Sequence, residues 1–330
     1  MSLHTSRIIT PSTNKLCDIC SEIPFDSKKL LPFKRGYTTN RWAMGTLSRI
    51  RKETGCPFCR LIGLAVYEAY KGQRDNEFLL KEDITIDWNN PPDTNRRSVI
   101  SIDGMSSGTT IRFVDEATFS DILLADSQLD WNRARRWISA CENNHGDTCN
   151  PRWNLSATTA ISGLEVLRLV DVVNGCLVEA RSPCRYLTLS YVWGGVNNVR
   201  LTSSNKAFLM EKGVLRTIWR LLPRTIRDAI EVVKALGESL LWIDALCLVQ
   251  NDRFDMRNGI EVMDLIYERA ALCIVAASGD SADAGLPGAR LGNRFVTSRA
   301  ERILPGIQLA VSNELDHVLR SSTYNRRGWT

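Results

Sequence analysis

The amino-acid sequence predicts an α/β protein whose main domain is a parallel sheet flanked by helices. Residues 186–192 are rich in the aromatic and β-branched residues that strands favour, and two further apolar runs follow at residues 239–249 and 272–278. Helical patterns lie between these runs. The resulting βαβαβ order is typical of parallel strands connected by helices that cover the sheet.

Composition narrows the class of protein. The chain has 330 residues, of which 44% are hydrophobic and 24% charged, and its formal net charge is +5. These values are typical of a globular protein with one or two domains. The sequence has no apolar stretch of about 18 residues, no secretion signal and no long basic run, so we expect a cytoplasmic protein that binds neither membrane nor nucleic acid.

Two pairs of cysteines near the N-terminus have a spacing typical of metal ligands. Cys17 and Cys20 form one CxxC pair, Cys56 and Cys59 form the other, and residues 21–55 separate them. Four thiolates from two such pairs can surround zinc as a tetrahedron. The alternative is that the second pair only opens the helix that follows and that its thiols are buried.

The first half of the chain predicts an accessory module at residues 1–155, with the main domain at 156–330. Residues 84–88, 98–103 and 109–114 alternate apolar and polar side chains, which indicates a small antiparallel meander. A helix begins at Asp130, and Cys141, His145 and Cys149 follow at intervals of four. That spacing could supply metal ligands, but asparagines and a glycine favour a helix end instead. Further hairpins are predicted at 164–179 and 301–313.

A helix that begins after Pro223 carries charged side chains near its N-terminal end. Its apolar residues are spaced for one buried face, and Gly237 is expected to end it. Arg224, Arg227 and Asp228 lie in its first turns. The helix dipole and the arginines could bind an anion there, and the alternative is an ordinary solvated face.

The run at 239–249 is interrupted by one carboxylate, Asp244. A run this apolar predicts a central strand covered on both faces, and a carboxylate within it needs a polar partner or a function. The carboxyl ends of parallel strands border the ligand crevice. Asp244, Cys247 and Gln250 are therefore candidate site residues, although Asp244 could instead cap a neighbouring loop. Cys247 has no histidine in a clear partner motif, which argues against a Cys–His hydrolase.

Five blocks in the second half occur in the order typical of one family. They are LSYVWG at 189–194, LPRTIRDAI at 222–230, WIDALCLVQND at 242–252, IEVMDLIYERA at 260–270 and RRGWT at 326–330. With these blocks, roughly residues 184 to 330 resemble the fungal heterokaryon-incompatibility (HET) domain. The paired CxxC elements upstream are similar to those that many proteins of this family carry.

The resemblance implies nonself recognition and the induction of programmed cell death. HET domains distantly resemble the Toll/interleukin-receptor (TIR) fold, which implies a TIR-like, flavodoxin-like strand order here. Some TIR proteins act by self-association and others cleave NAD. We therefore expect a signalling module that assembles with itself or with other HET or signalling proteins. The alternative is a glycohydrolase with NAD as its substrate.

The resemblance also bears on the site. In the family, RGWT runs on into a Gln-Glu pair similar to the TIR helix whose glutamate is catalytic. We therefore expect a C-terminally truncated HET domain that is inactive toward NAD, with Asp244 and Glu261 as the catalytic candidates within the chain. The predicted ligand-binding residues are Ser190, Tyr191, Trp193, Gly194, Arg224, Asp228, Asp244, Cys247, Gln250, Arg327 and Trp329.

Overall fold

The protein has a mixed α/β fold that divides into two compact units. The computed structural model describes residues 15–25, 39–70, 80–89, 99–103, 109–113, 128–146, 166–180, 184–196, 199–293, 300–313, 319–320 and 322–326. Unit 1 comprises Met1–Ala125 and Val296–Val318, and unit 2 comprises Asp126–Phe295 and Leu319–Thr330. Across the described ranges, no helix is both long enough and apolar enough to cross a membrane.

Unit 1 is built on an antiparallel sheet of six strands. They are β1 (Thr39–Thr46), β2 (Asp83–Asn89), β3 (Val99–Ile102), β4 (Thr109–Phe113), β10 (Ala300–Leu304) and β11 (Ile307–Asn313). Their order is β1-β2-β3-β4-β11-β10. Strands β2, β3 and β4 confirm the predicted meander. Its alternating pattern works as expected, since Ile84, Ile86 and Trp88 point into the core.

The helices that accompany this sheet are α1 (Asp18–Ser21), α2 (Leu47–Lys52) and α3 (Pro57–Ala69). Pro57 occupies the first turn of α3, where its missing N–H costs no hydrogen bond. Apolar side chains of α3, including Phe58, Leu61 and Ile62, are buried in the core of unit 1. Arg60 of α3 forms a two-pronged ion pair with Glu301 of β10, with N···O distances of 2.9 and 2.6 Å.

The predicted hairpin at 301–313 is confirmed, but the sequence did not predict which sheet it joins. Strand β11 pairs with β4, so the hairpin extends the sheet of unit 1. Ile303, Ile307, Leu309 and Val311 are buried there, which explains the attachment. The predicted boundary between residues 155 and 156 lies outside the described residues and stays a prediction.

Unit 2 contains a mixed sheet of five strands. They are β5 (Leu167–Asp171), β6 (Cys176–Ala180), β7 (Leu187–Ser190), β8 (Leu240–Trp242) and β9 (Leu272–Val275). The order is β6-β5-β8-β7-β9. Strand β7 runs parallel to β8 and β9, whereas β5 is antiparallel to β6 and β8. The α/β class is confirmed, but a TIR- or flavodoxin-like parallel sheet is not, because a hairpin forms one side of this sheet and the sheet of unit 1 is antiparallel.

The helices of unit 2 connect and flank these strands. They are α4 (Trp131–Asn144), α5 (Lys206–Leu209), α6 (Val214–Thr217), α7 (Arg224–Leu236), α8 (Asp244–Cys247), α9 (Arg253–Glu261) and α10 (Met263–Glu268), with 3-10 turns at Trp219–Leu221 and Tyr324–Arg326. Helix α7 matches its prediction. Pro223 precedes it, its apolar stripe is buried, and Gly237 ends it in the left-handed region at φ 82°.

Two predicted elements differ from the structure. The apolar run at 239–249 is not one strand, because β8 ends at Trp242 and α8 begins at Asp244. A short, wholly apolar run does not distinguish a buried strand from a buried helix, and the carboxylate favours a helix start. The helical pattern at 260–270 is broken at Val262 into the end of α9 and α10. Cys149 and most of the predicted helix at 316–321 lie outside the described residues.

Candidate functional site

The carboxyl ends of the parallel strands of unit 2 bring several predicted site residues together. Trp193 follows β7 and Asp244 follows β8. The Trp193 indole N–H donates to the Asp244 carboxylate at 2.8 Å, and the other carboxylate oxygen accepts the Ala245 backbone N–H at 2.7 Å. The polar partner that the sequence demanded for Asp244 is therefore Trp193.

Sequence reasoning missed two contacts at this end of the sheet. The Arg200 guanidinium lies over the Trp193 ring at 4.8 Å from its centroid, a cation–π contact. The Tyr324 hydroxyl and the Ser190 hydroxyl are 2.8 Å apart. Tyr191, in contrast, is only 2% exposed and belongs to the core. No sequence pattern singles out Arg200 or Tyr324, and the partner of Tyr324 lies 134 residues earlier in the chain.

Gly194, predicted to bind a ligand, lies in close contact with another segment of the chain itself. Its φ is +62°, and a Cβ atom there would lie 2.6 Å from Cβ of Ser281 and 2.9 Å from the Asp280 carbonyl oxygen. Nearby, the Ala282 backbone N–H donates to the Trp193 carbonyl at 3.0 Å. The loop after β9 thus packs directly against the turn after β7.

Cys247 and Gln250 hold the connection after β8. Cys247 is 1% exposed, and burial raises the pKa of its thiol to about 12. At neutral pH it is therefore a protonated, inaccessible thiol, which agrees with the argument against a Cys–His hydrolase. The Gln250 amide donates to the carbonyls of Asp244 and Leu248 at 3.1 and 3.0 Å, which fixes α8 at both ends.

The predicted anion site at the start of α7 is bonded to the protein's own loop. The Arg224 backbone N–H donates to the Asp283 carboxylate at 2.9 Å, and the Thr225 N–H donates to the Ala282 carbonyl. Asp228 is fully buried, where it accepts the Leu286 N–H at 2.9 Å and pairs with Arg290 at 2.7 Å. A ligand role for Arg224 and Asp228 stays a prediction, and their present partners anchor the loop after β9. Arg327 and Trp329 lie outside the described residues.

Comparison with known proteins identifies the part of the chain that carries this site. Residues 186–330 match the family described as Heterokaryon incompatibility protein (HET). This part of the chain is a HET domain. The family indicates a role in heterokaryon incompatibility in general terms. No curated protein and no solved structure matches the chain.

Glu261, the other acidic candidate in the HET domain, lies at the end of α9. Its carboxylate is 57% exposed and pairs with Arg257 of the same helix at 2.8 Å. This is an ordinary i,i+4 surface pair, and the contact raises the pKa of Arg257. The structure therefore gives Glu261 a partner on its own helix.

An ion-pair network ties the preceding hairpin to the HET domain. Arg168 of β5 donates to the Cys247 carbonyl at 3.0 Å and makes a two-pronged pair with Asp255 of α9. Asp255 also accepts the Val249 backbone N–H at 2.7 Å. Both side chains are largely buried, so removing one partner would leave an uncompensated charge. The sequence did not predict this network, because Arg168 is separated from Cys247 and Asp255 by several strands and helices along the chain.

A shallow groove elsewhere in the HET domain has a volume of about 410 Å³. It contains none of the predicted site residues. The Lys234 ammonium lies 5.8 Å from the centroid of the Trp219 ring at this groove. Its lining residues are Arg216, Thr217, Trp219, Arg220, Glu231 and Lys234.

In unit 1, the four predicted cysteine ligands meet. The sulfur atoms of Cys17, Cys20, Cys56 and Cys59 all lie within 4.8 Å of one another. Three of these side chains are buried and Cys17 is partly exposed. Hydrogen bonding to Cys56 and Cys59, and then burial, raise the pKa of Cys20, whereas the contact with Cys20 is the main cause that lowers the pKa of Cys56.

Proposed function

We propose that this protein is a fungal nonself-recognition module that triggers cell death by assembly. The family match over residues 186–330 supports the heterokaryon-incompatibility role. The proposed partner in assembly is a second copy of this chain, and related HET or signalling proteins would join through the same surface. We place this activity in the cytoplasm, because the described cysteines are all free thiols and a reducing compartment preserves thiols.

The observation that carries the assembly proposal is the edge of the sheet in unit 2. Among the described residues, β9 pairs with β7 and with no other strand. Cys273 and Val275 are exposed on β9, and Val275 is 43% exposed. An edge strand with short uncharged side chains offers its N–H and C=O groups to another chain. Pairing of β9 with β9 of a second copy would join two sheets.

The state of the carboxylates favours assembly over cleavage of NAD. Glycosidic cleavage needs a carboxylate able to stabilise an oxocarbenium-like state. Asp244 is bonded to Trp193 and Ala245, and Glu261 is paired with Arg257. Asp228 is buried against Arg290. Asp244 and Asp228 thus hold neighbouring segments of the fold, and Glu261 already has an arginine partner on its own helix.

We also propose a distant relation to TIR domains, with the strand order as its support. In chain order β7 comes first, β8 second and β9 third, and in the sheet β7 lies between the other two. This central position of the first parallel strand is how a flavodoxin-like sheet begins.

The substitution Val275→Lys tests the assembly proposal. It places a charge on the edge strand without removing a core contact, so it should weaken self-association at least about tenfold, roughly 1.4 kcal/mol. Light scattering after size-exclusion chromatography over a range of concentrations measures the association. Induced expression in a filamentous fungus, with vital-dye counting, measures cell death, which should fall with association.

The matched control is Val173→Lys, since Val173 is also an exposed valine of unit 2, at 60%, but lies in the turn between β5 and β6. It should associate and kill like the original chain. Equal association and killing by Val275→Lys would contradict the proposal. Release of nicotinamide from NAD by the purified chain, lost in Asp244→Asn, would support the glycohydrolase instead.

A further inference from the structure

We infer that Cys17, Cys20, Cys56 and Cys59 form a site for one Zn²⁺ ion in unit 1. This inference does not depend on the proposed function of the HET domain. It is carried by the arrangement of the four sulfur atoms, by their burial and by the groups that surround them.

The sulfur separations are those of a tetrahedral metal site. Zn–S bonds of about 2.3 Å place the sulfurs at the corners of a tetrahedron whose edges are about 3.8 Å. The sulfur of Cys59 lies 3.7 Å from that of Cys17 and 3.6 Å from that of Cys20. All four sulfurs fall within 4.8 Å of one another. A small inward movement of the widest pair would complete the coordination.

Neither a disulfide nor simple packing accounts for this cysteine cluster. A disulfide needs an S–S distance of about 2.05 Å, far shorter than the distances found here. Packing alone explains one buried thiol, which behaves as a small apolar group. It does not explain why residues 17–20 and 56–59, from two distant parts of the chain, place all four sulfurs around one point.

The start of a helix positions the two sulfurs of each cysteine pair. Cys17 precedes α1 and Cys20 lies within it, while Cys56 precedes α3 and Cys59 lies in its first turn. Each pair thus places one sulfur just before a helix and the other inside its first turn, so both sulfurs of a pair can face the same ion.

Arg49 supplies the second layer of the site. Four thiolates and one Zn²⁺ carry a net charge of −2, which is unfavourable in a buried position. The Arg49 guanidinium donates to the sulfur of Cys17 at 3.9 Å and is oriented by the Met44 carbonyl, to which its Nε donates at 3.0 Å. A cation held in this way offsets part of the charge and orients one ligand.

The ligand set defines the class of metal and the role. Thiolates are soft ligands that select zinc over magnesium or calcium. With four protein ligands the site has no open position for water or substrate, so it is structural. The ion would tie the N-terminal residues 17–20 to α2 and α3, where Cys20, Ile50 and Phe58 share one core.

Metal analysis of the full chain tests the inference directly. The chain is purified from a zinc-containing culture without a metal-affinity tag, and zinc and iron are measured by plasma mass spectrometry. We expect one zinc per chain. Exchange with Co²⁺ should give the visible ligand-field absorption of a tetrahedral site and strong thiolate-to-metal charge transfer, which needs no variant.

Two variants complete the test. Cys59→Ser should lose most of the zinc, whereas Cys176→Ser, which alters an equally buried cysteine of unit 2, should keep it. Zinc that is absent from the original chain, retained in Cys59→Ser or replaced by iron would overturn the inference. So would a cobalt spectrum without thiolate charge transfer, or fewer than ten thiols after denaturation in a chelator, since the chain has 10 cysteines.

Discussion

At the scale of single residues, burial decides the chemistry of the polar groups in the HET domain. Asp244, Asp228 and Cys247 have the residue types of a reactive site. Asp228 is bonded to Arg290 and to the backbone of Leu286, and Asp244 to Trp193. The Cys247 side chain is buried. A buried polar group is tolerated because it has partners, so these residues are explained by the loops that they hold.

Cys247 makes stability depend on pH in the alkaline range. Burial raises the pKa of its thiol from 9.0 to about 12. Between these values the unfolded chain has lost the proton and the folded chain retains it, so stability is complete below pH 9 and falls as pH rises. The free energy of unfolding of the original chain should fall between pH 9 and 11. In Cys247→Ala we expect this fall to be smaller by on the order of 3 kcal/mol.

Urea denaturation at several pH values, followed by tryptophan fluorescence, measures this difference. Cys141→Ala is the control, because Cys141 is exposed on α4 and its removal should leave the slope with pH unchanged. If Cys247→Ala loses stability with pH as steeply as the original chain, the thiol is not the titrating group.

At the scale of elements, the loop after β9 is fixed by contacts with the turn after β7 and with α7. Gly194 lets its backbone approach, and Asp228 and Thr225 of α7 accept the backbone N–H groups of Leu286 and Gly285. Arg290 then pairs with Asp228. The loop thus joins the turn after β7 to α7, and this is the neighbourhood in which Trp193 and Asp244 meet.

Gly194→Ala should release this loop. The side chain would be strained at φ +62° and would collide with the backbone of Asp280 and Ser281. Left-handed strain and overpacking together should cost about 2–4 kcal/mol. The matched control is Gly195→Ala, since a Cβ at Gly195 meets nothing within 4 Å. Thermal denaturation of the two variants measures the difference, and equal midpoints would mean that the close approach is not required.

At the scale of the whole molecule, unit 1 is assembled from two segments that are far apart in the sequence. Residues from the first 125 positions supply β1 to β4, and the hairpin β10–β11 supplies the rest of the sheet. Strand β4 would otherwise be an edge. The hairpin also contributes buried side chains and the ion pair between Glu301 and Arg60.

A fragment of residues 1–125 should therefore fold poorly. It lacks Ile303, Ile307, Leu309 and Val311, each of which contributes about 1.5–3 kcal/mol when buried. It also exposes β4 as an edge that favours aggregation. The control is the same fragment joined to residues 296–318 by a flexible linker. Circular dichroism and amide exchange should show a folded sheet only in the joined form, and an equally protected short fragment would contradict the role of the hairpin.

The sequence by itself determined the features that depend on near neighbours along the chain. The alternation of residues 84–114 specified a meander, and Pro223, Gly237 and the apolar stripe between them specified α7. The two CxxC pairs predicted a four-sulfur cluster, because paired ligands a few residues apart share a local geometry. The HET blocks likewise are local strings.

The tertiary structure alone decided which distant segments meet. The apolar run at 239–249 predicts burial. That it forms β8 followed by α8 depends on the segments that pack against it. The hairpin at 301–313 carries no sign that its partner is β4. Asp228, Asp255 and Arg168 look like surface charges until long-range contacts bury and pair them. The physical reason is that periodicity reports which face of an element is covered, whereas the covering group is selected by packing and hydrogen bonding across the whole chain.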